Sequence, residues 1–166
     1  MKLNTLTDCL IIKLEAVYDV ETTIIASLPD VIDGASSPEL KHALTKHLRE
    51  TEEQERRLID VFKLLDVNPE TTKSEAIRGL VKDTAWVISQ EGSPSALDSV
   101  IISSAQYIEH YEIAGYRSLI RWANILGLSK VEKLLDKSLR EEENADETLA
   151  HLAETINTEA LKSQSL

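Results

Sequence analysis

Apolar residues recur at steps of three and four along four long segments, the spacing that lays one face of an α-helix against a core. The first stripe runs Leu10, Leu14, Val17, Glu21, Ile24, Leu28, and the second Leu40, Leu44, His47, Thr51, Gln54, Leu58, Val61, Leu65. The third runs Ile102, Ala105, Glu109, Glu112, Tyr116, Leu119, Ala123, Leu126, and the fourth Leu135, Leu139, Glu142, Asp146, Leu149, Ala153, Ile156. A shorter stripe occupies Ile77, Leu80, Val81, Thr84, Val87 and Ile88. Period-two alternation is absent, so the chain reads as all-α. Ser36 with Glu39, Thr72 with Glu75 and Ser129 with Glu132 fit capping boxes, and Ser93 before Pro94 fits an N-cap followed by proline. Pro29, Gly34, Pro69, Gly92 and Gly127 punctuate the gaps. These signals predict helices over 3–28, 37–66, 72–91, 94–126 and 129–158, with residues 159–166 fraying. All fit one domain spanning 1–166. Short links make antiparallel pairs of the first two and the last two helices, whereas about 28 residues separate the second long helix from the next. That arrangement is a ferritin-like four-helix bundle with an additional helix, 72–91, in the crossover.

Acids interrupt the apolar stripes on all four long helices. Glu21, Glu109, Glu112, Glu142 and Asp146 take core-phase positions, and Glu50 lies at the edge of the second stripe between His47 and Gln54. A buried carboxylate without a partner costs several kcal/mol, so it takes up a proton or finds a cation. Lys and Arg are missing from the core phase, with Arg49, Arg56 and Arg57 read onto outer faces. Metal is the simplest countercharge, and two divalent ions balance six acids better than one. Oxygen-rich donors with an imidazole or amide suit iron or manganese, with zinc as a competitor. His47 reads either as a nitrogen ligand or as a satisfied core histidine. Tyr18 and Tyr116 are spaced to hydrogen-bond ligand carboxylates. His110 points away from the Glu109 face, His42 and His151 read as surface residues, and Trp86, Trp122 and Cys9 as packing residues.

The formal charge of −11 falls to about −5 if the six acids bind metal, an ordinary surface value. Basic residues are scattered, which argues against a nucleic-acid partner. Without a membrane-length apolar run or a secretory pattern at Met1 to Leu14, a cytoplasmic protein is expected, with no membrane partner. A single cysteine excludes an internal disulfide framework.

The segments LEAVYDVETTI, HLRETEEQERRL, SSAQYIEHYEIAGY and LREEENADETL resemble the helices of the YciF-type ferritin-like bacterial proteins, a family associated with stress conditions. The resemblance runs over nearly the whole chain. It implies a metal set of Glu21, Glu50 with Gln54, Glu109 and Glu112, and Glu142 with Asp146. Gln54 stands where such proteins often carry histidine, and Asp146 replaces an imidazole of the wider ferritin-like pattern. Glu50 and Glu142, or Glu109 in place of either, are placed to bridge two metals. Glu21, Glu112 and Asp146 are then terminal ligands, with Gln54 or His47 as weaker donors. The expected function is a dinuclear iron or manganese bundle, a homodimer, that handles oxygen or peroxide as a small oxidant substrate. A metal-free structural or interaction bundle, or one in which metal only stabilises the fold, is the alternative.

Overall fold

The computed structural model describes residues 3–162. Five helices follow one another, α1 (Leu6–Gly34), α2 (Pro38–Leu64), α3 (Glu75–Ile88), α4 (Pro94–Ile125) and α5 (Ser129–Lys162), and no strand occurs among the described residues. The four long helices close a ring: α1 packs on α2 and α4, and α5 packs on the same two. Shorter α3 lies outside that ring against α1 and α4.

Directions follow from which ends share a core. One apolar cluster joins the end of α1 (Ile24, Leu28, Val31) to the start of α2 (Leu40, Leu44), the start of α4 (Ile101, Ile102) and the end of α5 (Leu149, Ile156). The other joins the start of α1 (Leu10, Leu14) to the end of α2 (Leu58, Val61, Phe62), the end of α4 (Leu119, Ala123) and the start of α5 (Val131, Leu135). Neighbouring helices are therefore antiparallel. A fully buried side chain of this kind contributes roughly 1.5–3 kcal/mol, so the bundle is held at both ends. Between the clusters lies the layer that carries Glu21, His47, Gln54, Glu109, Glu112 and Glu142, all buried.

Several boundaries differ from the sequence expectation. Helix α1 starts at Leu6, where Thr5 and Asp8 form a capping box, and it runs through Pro29 to Gly34. Proline costs a helix interior about 3 kcal/mol, but burial of Val31 and the packing of Ile32 on the same cluster reward the extra turn. Ser37, not Ser36, caps α2 by accepting from the Leu40 backbone N–H. The Ser36 and Ser37 backbone N–H groups instead donate to the buried Asp98 on α4, each at 2.7 Å. The crossover helix is 75–88 instead of 72–91. Its Thr72 hydroxyl donates to Glu15 at 2.6 Å, so the Thr72–Glu75 box does not form. Nor does the Ser129–Glu132 box: Ser129 is already helical, and the Leu128 carbonyl accepts the Glu132 N–H. Gly127, at φ +71, makes the left-handed turn that reverses the chain before α5. Helix α5 extends to Lys162, so residues 159–162 are not frayed, and 163–166 lie outside the described residues.

Helix α3 is fastened at both ends. Arg78 forms two hydrogen bonds to Asp19 of α1, at 2.6 and 3.0 Å, and the Ser74 backbone N–H donates to the same carboxylate. The Arg78 hydrogen bond holds the Asp19 carboxyl below its ordinary range. At the other end Ile88 lies where a β-carbon on Gly34 would be, 2.5 Å away, so only glycine admits this close approach. Trp86, expected to pack, is 65% exposed on the outer side of α3, because Ile77, Thr84 and Val87 make the buried face.

Asp98→Ala leaves two backbone donors at the start of α2 without an acceptor. Urea denaturation should show a loss of about 2–4 kcal/mol, from two unmade hydrogen bonds to a charged group. An unchanged midpoint would mean that water replaces the carboxylate.

Candidate metal centre

Each long helix delivers its polar groups to one level of the bundle because the acids share the heptad-like phase of the leucines above and below them. Helix α1 brings Glu21, α2 brings His47 and Gln54, α4 brings Glu109 and Glu112, and α5 brings Glu142. His47, Glu109, Glu112 and Glu142 each present a ligand-type atom, and these four atoms all lie within 4.8 Å of one another. His47 Nε2 is 3.3 Å from Glu109 Oε1. Glu21 reaches the same group from α1, and the Tyr116 hydroxyl donates to its Oε1. Gln54 Nε2 donates to Glu142 Oε1, and also lies 3.3 Å from Glu141 Oε2.

Burial is the largest influence on three of these acids. It pushes the carboxyls of Glu21, Glu109 and Glu112 well above the ordinary glutamate range, and the nearby charge of Glu142 adds to the effect in each. Tyr116 opposes the rise at Glu21 by donating to its carboxylate. The Tyr116 hydroxyl is itself pushed well up by burial and by Glu21, so it stays a donor.

Among the described residues, eight buried side-chain polar atoms lack a hydrogen-bond partner. They belong to Glu21, His47, Glu50, Gln54, Glu109, Glu112 and Glu142, all on this one layer. Native interiors leave few such atoms and do not concentrate them. A cation accepting lone pairs from several oxygens and one nitrogen would satisfy most of them together, so the residues present fit a metal. Oxygen donors with a single imidazole suit iron or manganese, and zinc competes.

The sequence-derived residues do not all stand alike. Glu50 keeps one oxygen buried and without a partner, while the other pairs with Lys46 at 2.7 Å, and its side chain is 23% exposed. Asp146, also 23% exposed, turns toward α4, accepting from Gln106 Nε2 at 2.8 Å and lying 3.6 Å from His110 Nε2. Tyr18 reaches Glu55 at 3.5 Å and no interior acid. Tyr116 bonds Glu21 across the bundle, not Glu112 on its own helix. Cys9 is only partly buried.

Arg57 also belongs to this network. Arg57, expected on an outer face, is buried and donates to Ser138 Oγ and Glu141 Oε2, both at 2.6 Å. Glu141 in turn lies beside Gln54. The signal was present in the spacing: position 57 is three after Gln54, on the same helix face.

A helical bundle with a buried carboxylate and histidine layer is the class that this fold and site define. The model of the domain of unknown function DUF892 matches residues 5–162, and the chain belongs to that family. It is 32% identical over 154 residues to Protein YciF of Escherichia coli (strain K12), covering 92% of this chain and 93% of that protein. The crystal structure of the E. coli stress protein YciF superposes with a TM-score of 0.91 at 31% identity, covering 94% and 99% of the two chains. YcfI of Rhodopseudomonas palustris superposes with a TM-score of 0.87 at 37% identity, covering 90% and 95%. A protein of Xanthomonas campestris pv. campestris shares the fold, with a TM-score of 0.76 at 22% identity over 98% and 100%.

The raised carboxyls set a pH dependence for the metal-free protein. A carboxyl whose folded pKa lies above its unfolded value holds a proton that the unfolded chain gives up. The contribution is complete below the ordinary glutamate range and is lost as pH rises toward the folded values. The melting temperature of chelator-treated protein should therefore fall as pH rises above the ordinary glutamate range, and replacing Glu112 by Gln should flatten the trend. A melting temperature that climbs over this window would contradict the assignment.

Proposed function

We propose that the protein is a ferritin-like dinuclear metal protein, its ions held between the four long helices. The observation that carries the reading is the single layer of buried polar atoms without partners, shared by residues of all four helices. Charge supports two ions. Glu21, Glu109, Glu112 and Glu142 are the acids of this layer that are almost wholly enclosed, and two divalent ions match their four negative charges. The ferritin-like description is supported by the antiparallel pairs α1/α2 and α4/α5 and by the long connection that carries α3.

His47, Glu109, Glu112 and Glu142 would form the heart of the site, with Glu21 completing it from α1. Glu50 and Asp146 lie at its margins, where a turn of either side chain would add an outer ligand. Iron or manganese supplies the one- and two-electron steps that reduce oxygen or peroxide. The residues' own part is to keep that chemistry dry and oriented: Tyr116 fixes Glu21, Gln54 fixes Glu142, and the apolar clusters above and below exclude water. The E. coli relative is a stress protein, which fits the handling of a small oxidant. In this reading the protein works in the cytoplasm as a homodimer. No helix among the described residues is long and apolar enough to cross a membrane. Val100 and Tyr107, one heptad apart and exposed on α4, support a face for self-association.

Metal analysis of protein purified without chelator should find about two iron or manganese ions per chain, and Glu109→Ala with Glu142→Ala should abolish them. A helical, fully folded wild type that binds neither metal on titration would refute the proposal and leave a purely structural bundle. Gln54→His should tighten zinc or cobalt binding by about tenfold, since imidazole is the better donor to later transition metals. No change would place position 54 in an orienting role only.

A further inference from the structure

A cavity of about 300 Å³ opens between α1, α3 and α4 and reaches the interior layer at His47 and Glu109. Its mouth is marked by exposed residues, Asp30 and Ser89, and its inner end by the buried Leu44, His47 and Glu109. The wall between is mostly apolar. Cavities of about 300–1,000 Å³, apolar with a few convergent polar groups, are where small molecules bind.

We infer that this cavity binds an uncharged, mainly aliphatic molecule that carries one hydroxyl-type head, placed against His47 and Glu109. Two independent features fix the chemistry. The apolar wall requires a hydrocarbon body. Of the two residues at the inner end, His47 Nδ1 and Glu109 Oε2 are buried without partners, on side chains 8% and 2% exposed, and a hydroxyl can both donate and accept. An anionic head is disfavoured there because burial strips its hydration and no Lys or Arg among the described residues lines the cavity to replace it, and at the mouth Asp30 is itself acidic. The size suits a chain of roughly eight to ten carbons. Helix α3 forms the outer wall through Val81, Thr84 and Ile88, and its two attachments to α1 hold that wall in place. The crossover helix thus has a role that its lack of interior acids left open. That the molecule meets a metal rests on the function proposed above; its binding in the cavity does not.

Titration calorimetry and methyl NMR with 1-octanol and octanoate test the inference on chelated protein. 1-Octanol should bind saturably, with octanoate at least about tenfold weaker, and the largest methyl shifts should fall on Val81, Ile88 and Ala105. Ala105→Phe fills the inner wall and Ser27→Phe narrows the half-buried side of the passage. Each should weaken octanol at least about tenfold, and Ser27→Phe keeps the test valid if the core variant misfolds. Absence of saturable octanol binding, equal affinity for octanoate, or undiminished binding in a folded Ser27→Phe protein would overturn the inference. In cobalt-loaded protein, octanol should shift the visible absorption. An unchanged spectrum despite binding would refute the placement against His47 and Glu109. Octanol binding by protein that takes up no metal would leave this site standing and defeat only the metal reading.

Discussion

Closing four glutamates off from water in one layer is the constraint to which the rest of the bundle answers. Each ionised carboxylate so placed costs several kcal/mol unless a proton or cation meets it, against a net stability of roughly 5–15 kcal/mol for a whole domain. The layer cannot hold the helices together by itself. That task falls to the apolar clusters at the two ends, which share only Tyr116 with the acid layer and otherwise fix the helices independently of it. The donors are consequently held near one another before any cation arrives, and repulsion among them is borne by leucine, isoleucine and valine packing elsewhere.

Orientation within the layer comes from a chain of polar contacts on the α2–α5 side. Arg57 is anchored by Ser138 and Glu141, Glu141 lies beside Gln54, and Gln54 donates to Glu142. The positive charge of Arg57 is thereby kept near the interior acids without entering their cluster, and it acts to lower the carboxyl of Glu21. On the α1–α4 side a neutral phenol does the orienting work, because Tyr116 remains protonated. One side of the centre is organised by a cation and the other by a hydroxyl.

Much of this was legible in the sequence for a plain reason: the acids occupy the same three-and-four phase as the leucines, and phase is what burial obeys. The stripes of α1, α2, α4 and α5 therefore located the layer correctly, with His47, Gln54 and Tyr116 in it. Edge positions were less legible. Glu50 and Asp146 lie where a small rotation decides between interior and rim, and local partners, Lys46 for one and Gln106 for the other, decided it. Arg57 shares the inward face of Gln54, but the partners that make burial of its charge tolerable, Ser138 and Glu141, lie more than eighty residues further along the chain. Helix starts failed for a similar reason: Asp98 from α4 competes for the donors around Ser36, and Glu15 from α1 takes the Thr72 hydroxyl.

Helix α2 also makes the centre unequal along the bundle axis. His47 and Gln54 are seven residues apart, which on an α-helix is roughly 10.5 Å and nearly the same face. One end of the layer therefore offers an imidazole and the other an amide whose nitrogen is committed to Glu142, leaving only its oxygen without a partner. Imidazole favours the later transition metals more strongly than an amide oxygen does. Any pair of ions held here would see two chemically different environments, and the apolar cavity lies against the imidazole end, where His47 and Glu109 line it. The amide end faces the charged network of Arg57 and Glu141 instead. Access and donor strength thus coincide at one end of the layer, which makes the His47 end the more reactive half under the proposed function.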